Sequence, residues 1–331
     1  MKHSSQFQHV TPIDLPDYPR DLKGYGDNPP KANWKNGAKI AVQFVLNLEE
    51  GAENAVMHGD AGSEMFLSDI LGTQIFPNRH QSVESAFEYG SRVGVWRVLD
   101  LFKAHDLKLT TFSCAMAVAR TPHILERVLE YGHEVASHGL RWVNHQMMDR
   151  QTEARHIADA TEIFKKMMGF QPIGWYTGRD SPNTRELVVA QGGYQYDSDS
   201  YADELPYWLN VRVTEGDKIF TRPQLIIPYS LETNDMRFAS SPGYTNAEPF
   251  YQYLKDSFDT LYEEGQETPK MLSIGLHCRM IGRAGRIVAL KKFIDYITSK
   301  PDVWICRRDE IAKHWYEQHP ATSENTFNWL F

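Results

Sequence analysis

Cysteine is scarce in this chain, a basic excess is missing, and no apolar run approaches the length of a membrane span. Each shortage excludes something. The three cysteines, Cys114, Cys278 and Cys306, are odd in number, far apart and set in or beside strand-like apolar runs. That pattern argues against a disulfide framework or a CxxC metal site and reads as reduced thiols in a core or pocket wall. Cys278 follows His277 directly, but adjacent strand residues point to opposite faces, which disfavours a nucleophilic pair. The net charge is −8, and nucleic-acid binding favours basic surfaces. A membrane helix needs about 20 apolar residues, so neither nucleic acid nor membrane is expected as a partner. The opening stretch MKHSSQFQHVTPIDLPD lacks the charged start, apolar run and small-residue cleavage site of a secretory leader, so a cytoplasmic location is expected.

What is present is an alternation of strands and helices. Residues 1–37 are rich in Pro, Asp, Asn and Gly and read as an irregular arm wrapping a domain or a neighbouring subunit. Residues 38–331 read as one catalytic domain, with no internal repeat or linker that would force a second. Strands are expected at Lys39–Leu46, Leu107–Cys114, Glu134–Ser137, Ile173–Tyr176, Tyr194–Asp197, Gln224–Pro228, Met271–His277 and Val303–Cys306. Between them, helical spacing marks Val93–Lys103, Pro122–Tyr131, Thr152–Met168, Asn183–Gln191, Pro249–Glu263, Arg283–Thr298 and a last helix from Asp309, several stopped by Gly. Repeated βα units with polar endings on one side predict an α/β fold, a distorted (β/α) barrel of about seven parallel strands.

Five apolar runs stop on ionisable residues: Glu49-Glu50, His138, Arg179-Asp180, Asp197 with Asp199, and His277. A buried parallel strand looks like this when its C-terminal end opens into a site. Adjacent acids alone read as a solvated loop start. The apolar run KIAVQFVLNL before Glu49 favours a buried pair, and burial or a like-charged neighbour raises a carboxyl toward the range of a general base. His138 opens SHGLRWVNH; a zinc site would want another histidine four residues on, where Trp142 stands. His145 lies seven residues on, about 10 Å along a helix, too far to share an ion whose Zn–N bonds are about 2 Å; the spacing leaves open a weaker site of Glu50, His138 and a distant third ligand. His277 can protonate a leaving nitrogen, and Arg279 and Arg283 can hold a carboxylate or carbonyl, whereas Arg286 reads as surface. Arg179 and the loop Asn234, Asp235, Met236 and Arg237 are candidate substrate contacts, the loop being equally consistent with ordinary turn chemistry.

With these residues assembled, the chain resembles the polysaccharide deacetylase (NodB-like) superfamily, and within it the metal-independent allantoinases of the PuuE type. The likeness runs from about Tyr18 to His319 and is carried by YPRDLKGYGDNPP, FVLNLEEG, FEYGSRVGVWRVLDLF, SHGLRWVNHQ, GWYTGRDSPNTRELV, YDSDSYADELPYW, IPYSLETNDMRF and KMLSIGLHCRMIGRAGR. In metal-dependent members of the superfamily, an acid pair and two histidines build the metal site, and a late histidine is the general acid. These map to Glu49-Glu50, His138, Trp142 and His277, so the second histidine is lost. Asn144-His145 stands where the allantoinase group has an acidic residue followed by Tyr, and a segment around Asn210–Thr221 looks inserted.

The resemblance implies a hydrolase of cyclic amides, allantoin to allantoate, working without a metal or other cofactor, as a homo-oligomer, often a tetramer. Glu49 would act as base, His277 as acid, and Glu50 and His138 would orient them. Trp142, Arg179, Arg279, Asn234, Asp235 and Arg237 would line the substrate. A metal-free cyclic imide hydrolase and a metal-dependent polysaccharide or peptidoglycan N-deacetylase are the alternatives.

Overall fold

Every residue from Ile40 to Leu48 is buried in the computed structural model, which describes residues 20–329. Burial on both faces is what a parallel strand covered by helices requires. The strand, β1, sorts its side chains by alternation. Val42, Phe44, Leu46 and Leu48 join the helix-side core, while Ala41 and Val45 join the interior cluster with Phe112, Ala136 and Tyr196. Phe44 meets Phe102 and Phe293 of the surrounding helices edge-on, with ring centroids 5.1 and 6.2 Å apart. Truncating such a buried aromatic costs about 3–5 kcal/mol. The same alternation turns Glu49 inward and Glu50 toward the helices.

Along the chain the further strands are β2 (Thr110–Ser113), β3 (Glu134–Ser137), β4 (Gly174–Trp175), β5 (Tyr196–Asp197), β6 (Tyr207–Glu215), β7 (Lys218–Ile226), β8 (Lys270–His277), β9 (Val303–Ile305) and β10 (Thr326–Trp329). Strands β8, β1, β2, β3, β4, β5 and β7 run side by side in parallel, and β9 pairs with the start of β1 below β2. The circuit from β7 back to β8 is bridged instead of laddered. The Gly275 amide donates to Thr233 O (3.1 Å), Thr233 Oγ1 to Ser273 O (2.6 Å) and the Met271 amide to Glu204 O (3.1 Å). This irregular seam is the distortion of the expected (β/α) barrel, and a cavity of about 560 Å³ opens along it between Tyr201, Tyr229 and Met271.

Arg308 crosses behind the seam, fully buried. Its guanidinium donates to Gln43 Oε1 and Ser273 Oγ (both 2.8 Å), Ser198 Oγ (2.9 Å), Pro228 O (3.0 Å) and Ile227 O. One side chain thereby joins β1, β8 and the ends of β5 and β7.

Most expected elements stand within a few residues of their places. The largest difference is at the segment around Asn210–Thr221, which looks inserted and where no strand is expected. Tyr207–Glu215 and Lys218–Ile226 form an antiparallel hairpin, turning at Gly216, whose φ of +60° suits glycine, and β10 lies parallel to β6 on its outer side. The helix expected from Val93 begins as a π turn at Gly90–Gly94 before Val95–Ala104. There a Cβ on Gly94 would lie 1.9 Å from Cys278 O, so only glycine lets this turn press against the end of β8. The helix expected from Arg283 starts at Ile287, after a short turn at Cys278–Ile281.

Of the expected arm, residues 1–19 lie outside the described residues. The remainder packs on the barrel, Trp34 Nε1 donating to Lys270 O (2.9 Å) and Tyr25 OH to Pro206 O (2.7 Å). Among the described residues no helix is long and apolar enough to cross a membrane.

Candidate active site

Because β1, β3 and β8 run parallel in one circuit, with β2 between β1 and β3, their final residues meet at one end of the barrel. Glu49 Oε1 lies 3.2 Å from His138 Nε2 and 3.5 Å from His277 Nε2. Its other oxygen is 2.7 Å from Arg279 Nη2, a contact of opposite charges that lacks the alignment of a directed hydrogen bond. Arg279 also reaches Glu50 Oε1 (3.3 Å), donates Nε–H to Leu67 O (2.8 Å), and lies over the rings of Phe87 (4.0 Å) and Trp142 (5.0 Å). Glu49, Glu50, His138, His277 and Arg279 are each at most 6% exposed, so these charges act on one another with little screening from water.

The two glutamates are set apart by their surroundings. Burial alone would raise both. For Glu49 the Arg279 charge and the imidazoles of His277 and His138 outweigh burial and hold the carboxyl well below the usual carboxylate range. For Glu50 burial prevails over Arg279, and the charge of Glu49 pushes it further up. Glu53, which lines a cavity of about 240 Å³ together with Glu50 and Arg120, is pushed up to about 7, chiefly by burial.

The histidines are fixed from behind. His138 Nδ1 lies 2.9 Å from Tyr176 O, and His277 Nδ1 lies 2.6 Å from Asp235 Oδ1. A carbonyl and a carboxylate accept only, so both Nδ1 atoms carry hydrogen and both Nε2 atoms face Glu49. Neutral rings would then present two lone pairs to a carboxylate oxygen. The three acceptors therefore need a shared proton.

The other expected residues are placed as follows. Trp142 is buried where the second histidine would stand, stacked on Phe66 with centroids 6.0 Å apart. Arg179 lies 3.8 Å over the ring of Trp142, with Glu64 Oε2 at 3.5 Å. Asp235 spends both oxygens inside the protein, on His277 Nδ1 and on the amides of His277 (2.8 Å) and Ile281 (2.9 Å). Asn234 accepts from the Met236 amide (2.9 Å), capping the turn that carries Asp235. Arg237 is half-buried on that turn, and Arg283 and Arg286 meet at Asp69. The residue that sequence reasoning missed in its role is Asp235, because its partner lies 42 positions away and no local pattern announces the pair.

A divalent metal fits poorly here. Trp142 offers no donor, the Arg279 cation already occupies Glu49 and Glu50, and among the described residues no group of three His, Cys, Asp or Glu is arranged to hold an ion.

The comparisons agree with this architecture. Residues 77–196 match the family model described as polysaccharide deacetylase. A Schizosaccharomyces pombe protein that bears a polysaccharide deacetylase name is 44% identical over 320 residues, 91% of this chain and 98% of that one. The crystal structure of PuuE allantoinase superposes with a TM-score of 0.88 at 51% identity, covering 92% of this chain and 100% of the other. A structure named for a polysaccharide deacetylase from Pseudomonas aeruginosa PAO1 gives 0.88 at 52%, with the same coverage. The chain belongs to the polysaccharide deacetylase family. Its class is that of the family's hydrolases, in a form whose acid pair is held by an arginine.

Proposed function

We propose that this protein hydrolyses the cyclic amide of a small ureide, allantoin to allantoate, without a metal. The observation that carries the reading is Arg279, a cation held against both glutamates beside the tryptophan that replaces a ligand. The 51% identity to a structure named PuuE allantoinase, across the whole of that chain, supports the substrate.

Arg279 keeps Glu49 ionised, and a carboxylate so stabilised is a weak base by itself. In the competent form the shared proton sits on His277 and the lone pair on His138 Nε2. Water placed at Glu49 Oε1 passes a proton to the Glu49–His138 pair as its oxygen bonds to the amide carbon. The ring C–N bond breaks, and the nitrogen takes the proton of His277, whose ring Asp235 holds in place. The proton on Glu49–His138 returns to His277, and the new carboxylic acid releases its own to solvent. Base and acid are thus two imidazoles on either side of one glutamate, with Glu50 as partner to Arg279.

The test is purified, chelator-treated protein incubated with allantoin, following ureide release. Sustained turnover supports the reading. Turnover of succinimide or dihydrouracil alone would transfer it to cyclic imides. The polysaccharide deacetylase name of the fission-yeast relative favours a second reading, N-deacetylation of an acetylated sugar polymer, which stoichiometric zinc and activity lost on chelation would establish. A homo-oligomer, a tetramer in particular, belongs to the same proposal and is checked by sedimentation.

A further inference from the structure

Behind Arg179 lies a second buried polar cluster, outside the mechanism above. Glu153, on the helix Arg150–Met168, is fully buried with no lysine or arginine among its hydrogen-bond partners. Its carboxylate lies 3.2 Å from His145 Nδ1 and accepts from Ser181 Oγ (2.6 Å) and Thr184 Oγ1. Ser181 and Thr184 are tied in turn, the Ser181 amide donating to Thr184 Oγ1 (2.8 Å) and the Asn183 amide to Ser181 Oγ (3.0 Å). His145 closes the circle through its main chain, its amide donating to Arg179 O at 2.8 Å. Three segments thus meet on one carboxylate: the loop after β3, the helix, and the turn after β4. Arg179 sits between two of the tied points, with its guanidinium 3.8 Å over the Trp142 ring.

A buried carboxylate is costly unless its donors are in place, so this cluster tolerates little displacement. Here the three side-chain donors more than offset burial and hold Glu153 below the usual carboxylate range. We infer that His145 and Glu153 are positioning residues that fix the backbone of Arg179, and so the face of the guanidinium offered to substrate beside Trp142. The inference rests on the proposed reading in one respect, that Arg179 meets substrate.

A double-mutant cycle tests it. His145→Phe should raise KM for allantoin about tenfold with kcat within about twofold, and should add nothing in an Arg179→Ala background, since coupled residues are non-additive. His145→Gln, which keeps a donor for Glu153, should restore KM. Additive effects on KM, or a loss confined to kcat, would overturn the assignment. A readout independent of turnover accompanies the kinetics. The Arg179 Nε–Hε NMR resonance should carry an upfield ring-current shift from Trp142, retained in His145→Gln and lost in His145→Phe. An unchanged shift in His145→Phe overturns the positioning role whatever the substrate. Wild type that turns over no cyclic amide overturns the functional reading alone and leaves the resonance to decide positioning. Should His145→Phe fail to fold, Ser181→Ala supplies the same spectral comparison, with the same shift loss expected and an unchanged shift overturning the role.

Discussion

Two arginines are buried in this barrel, and their company differs. Arg279 is held by Glu49 and Glu50, whereas Arg308 donates only to neutral oxygens of Gln43, Ser273, Ser198, Ile227 and Pro228. Burial opposes the charge of the first too, but the carboxylates of Glu49 and Glu50 outweigh it, and its guanidinium is held charged more firmly than usual. The second has no carboxylate among its hydrogen-bond partners to offset burial, which draws its guanidinium down from the ordinary value. An arginine among acids keeps their charge and its own in a dry interior. An arginine among carbonyls and hydroxyls supplies many donors in a rigid fork, here joining strands across a seam that lacks a ladder.

The sharpest way to break this contrast is to remove each cation. Arg279→Met should lower turnover about 10³-fold or more and cost about 3–5 kcal/mol of stability at pH 8, since two buried carboxylates lose their cation. The sign follows from Glu49. Its folded value is depressed, so its stabilisation is present above the usual carboxylate range and lost only as pH falls through that depressed value. Without Arg279 the carboxyl takes up protons readily, so denaturant unfolding should show a smaller deficit at pH 5 than at pH 8. An equal deficit at both would contradict the pairing.

Arg308→Met should also cost about 3–5 kcal/mol, by stranding buried acceptors, with turnover per folded molecule within about threefold of wild type. Paired unfolding and active-site-normalised rates check this, and a selective loss of rate would place Arg308 in the chemistry.

Asp235→Asn reports on the Glu49 end alone. It disturbs the acceptor that fixes the Nδ1 proton of His277, and kcat should fall about 10²–10⁴-fold with a much smaller effect on KM. Unaltered kcat would mean that His277 needs no partner.

The smallest effect concerns Glu53, a buried acid whose carboxyl is pushed up to about 7. A raised carboxyl favours the fold below the usual carboxylate range and loses that advantage as pH rises through about 7. Glu53→Gln should therefore be near neutral at pH 4 and stabilise by about 1–3 kcal/mol at pH 8, read as a rise in Tm at the higher pH only. A uniform shift at both values would show that charge is not the cause.

Parts of this arrangement were legible in advance. The run before Glu49 announced a buried strand, and alternation along it settles which glutamate faces the interior. The spacing of His138, Trp142 and His145 spoke against a zinc pair, and the structure fills the Trp142 position with stacked rings. Other parts were hidden. The first strand and the turn of the β6–β7 hairpin are absent from the expected elements because they follow a polar, acidic stretch, whereas the end of β7 is expected as Gln224–Pro228. The roles of Asp235, Arg308 and Glu153 each depend on partners brought in from elsewhere in the chain.

Periodicity and turn residues act over a few positions, so the sequence by itself determined most of the strands, most of the helices between them and the polar residues at the strand ends. The tertiary structure decided which of those ends share a proton and a cation. His138 meets Glu49 across 89 positions, Arg279 meets Glu50 across 229, and Asp235 meets His277 across 42. Charges interact through space, and only the closing of the barrel makes those distances short and removes the water that would screen them.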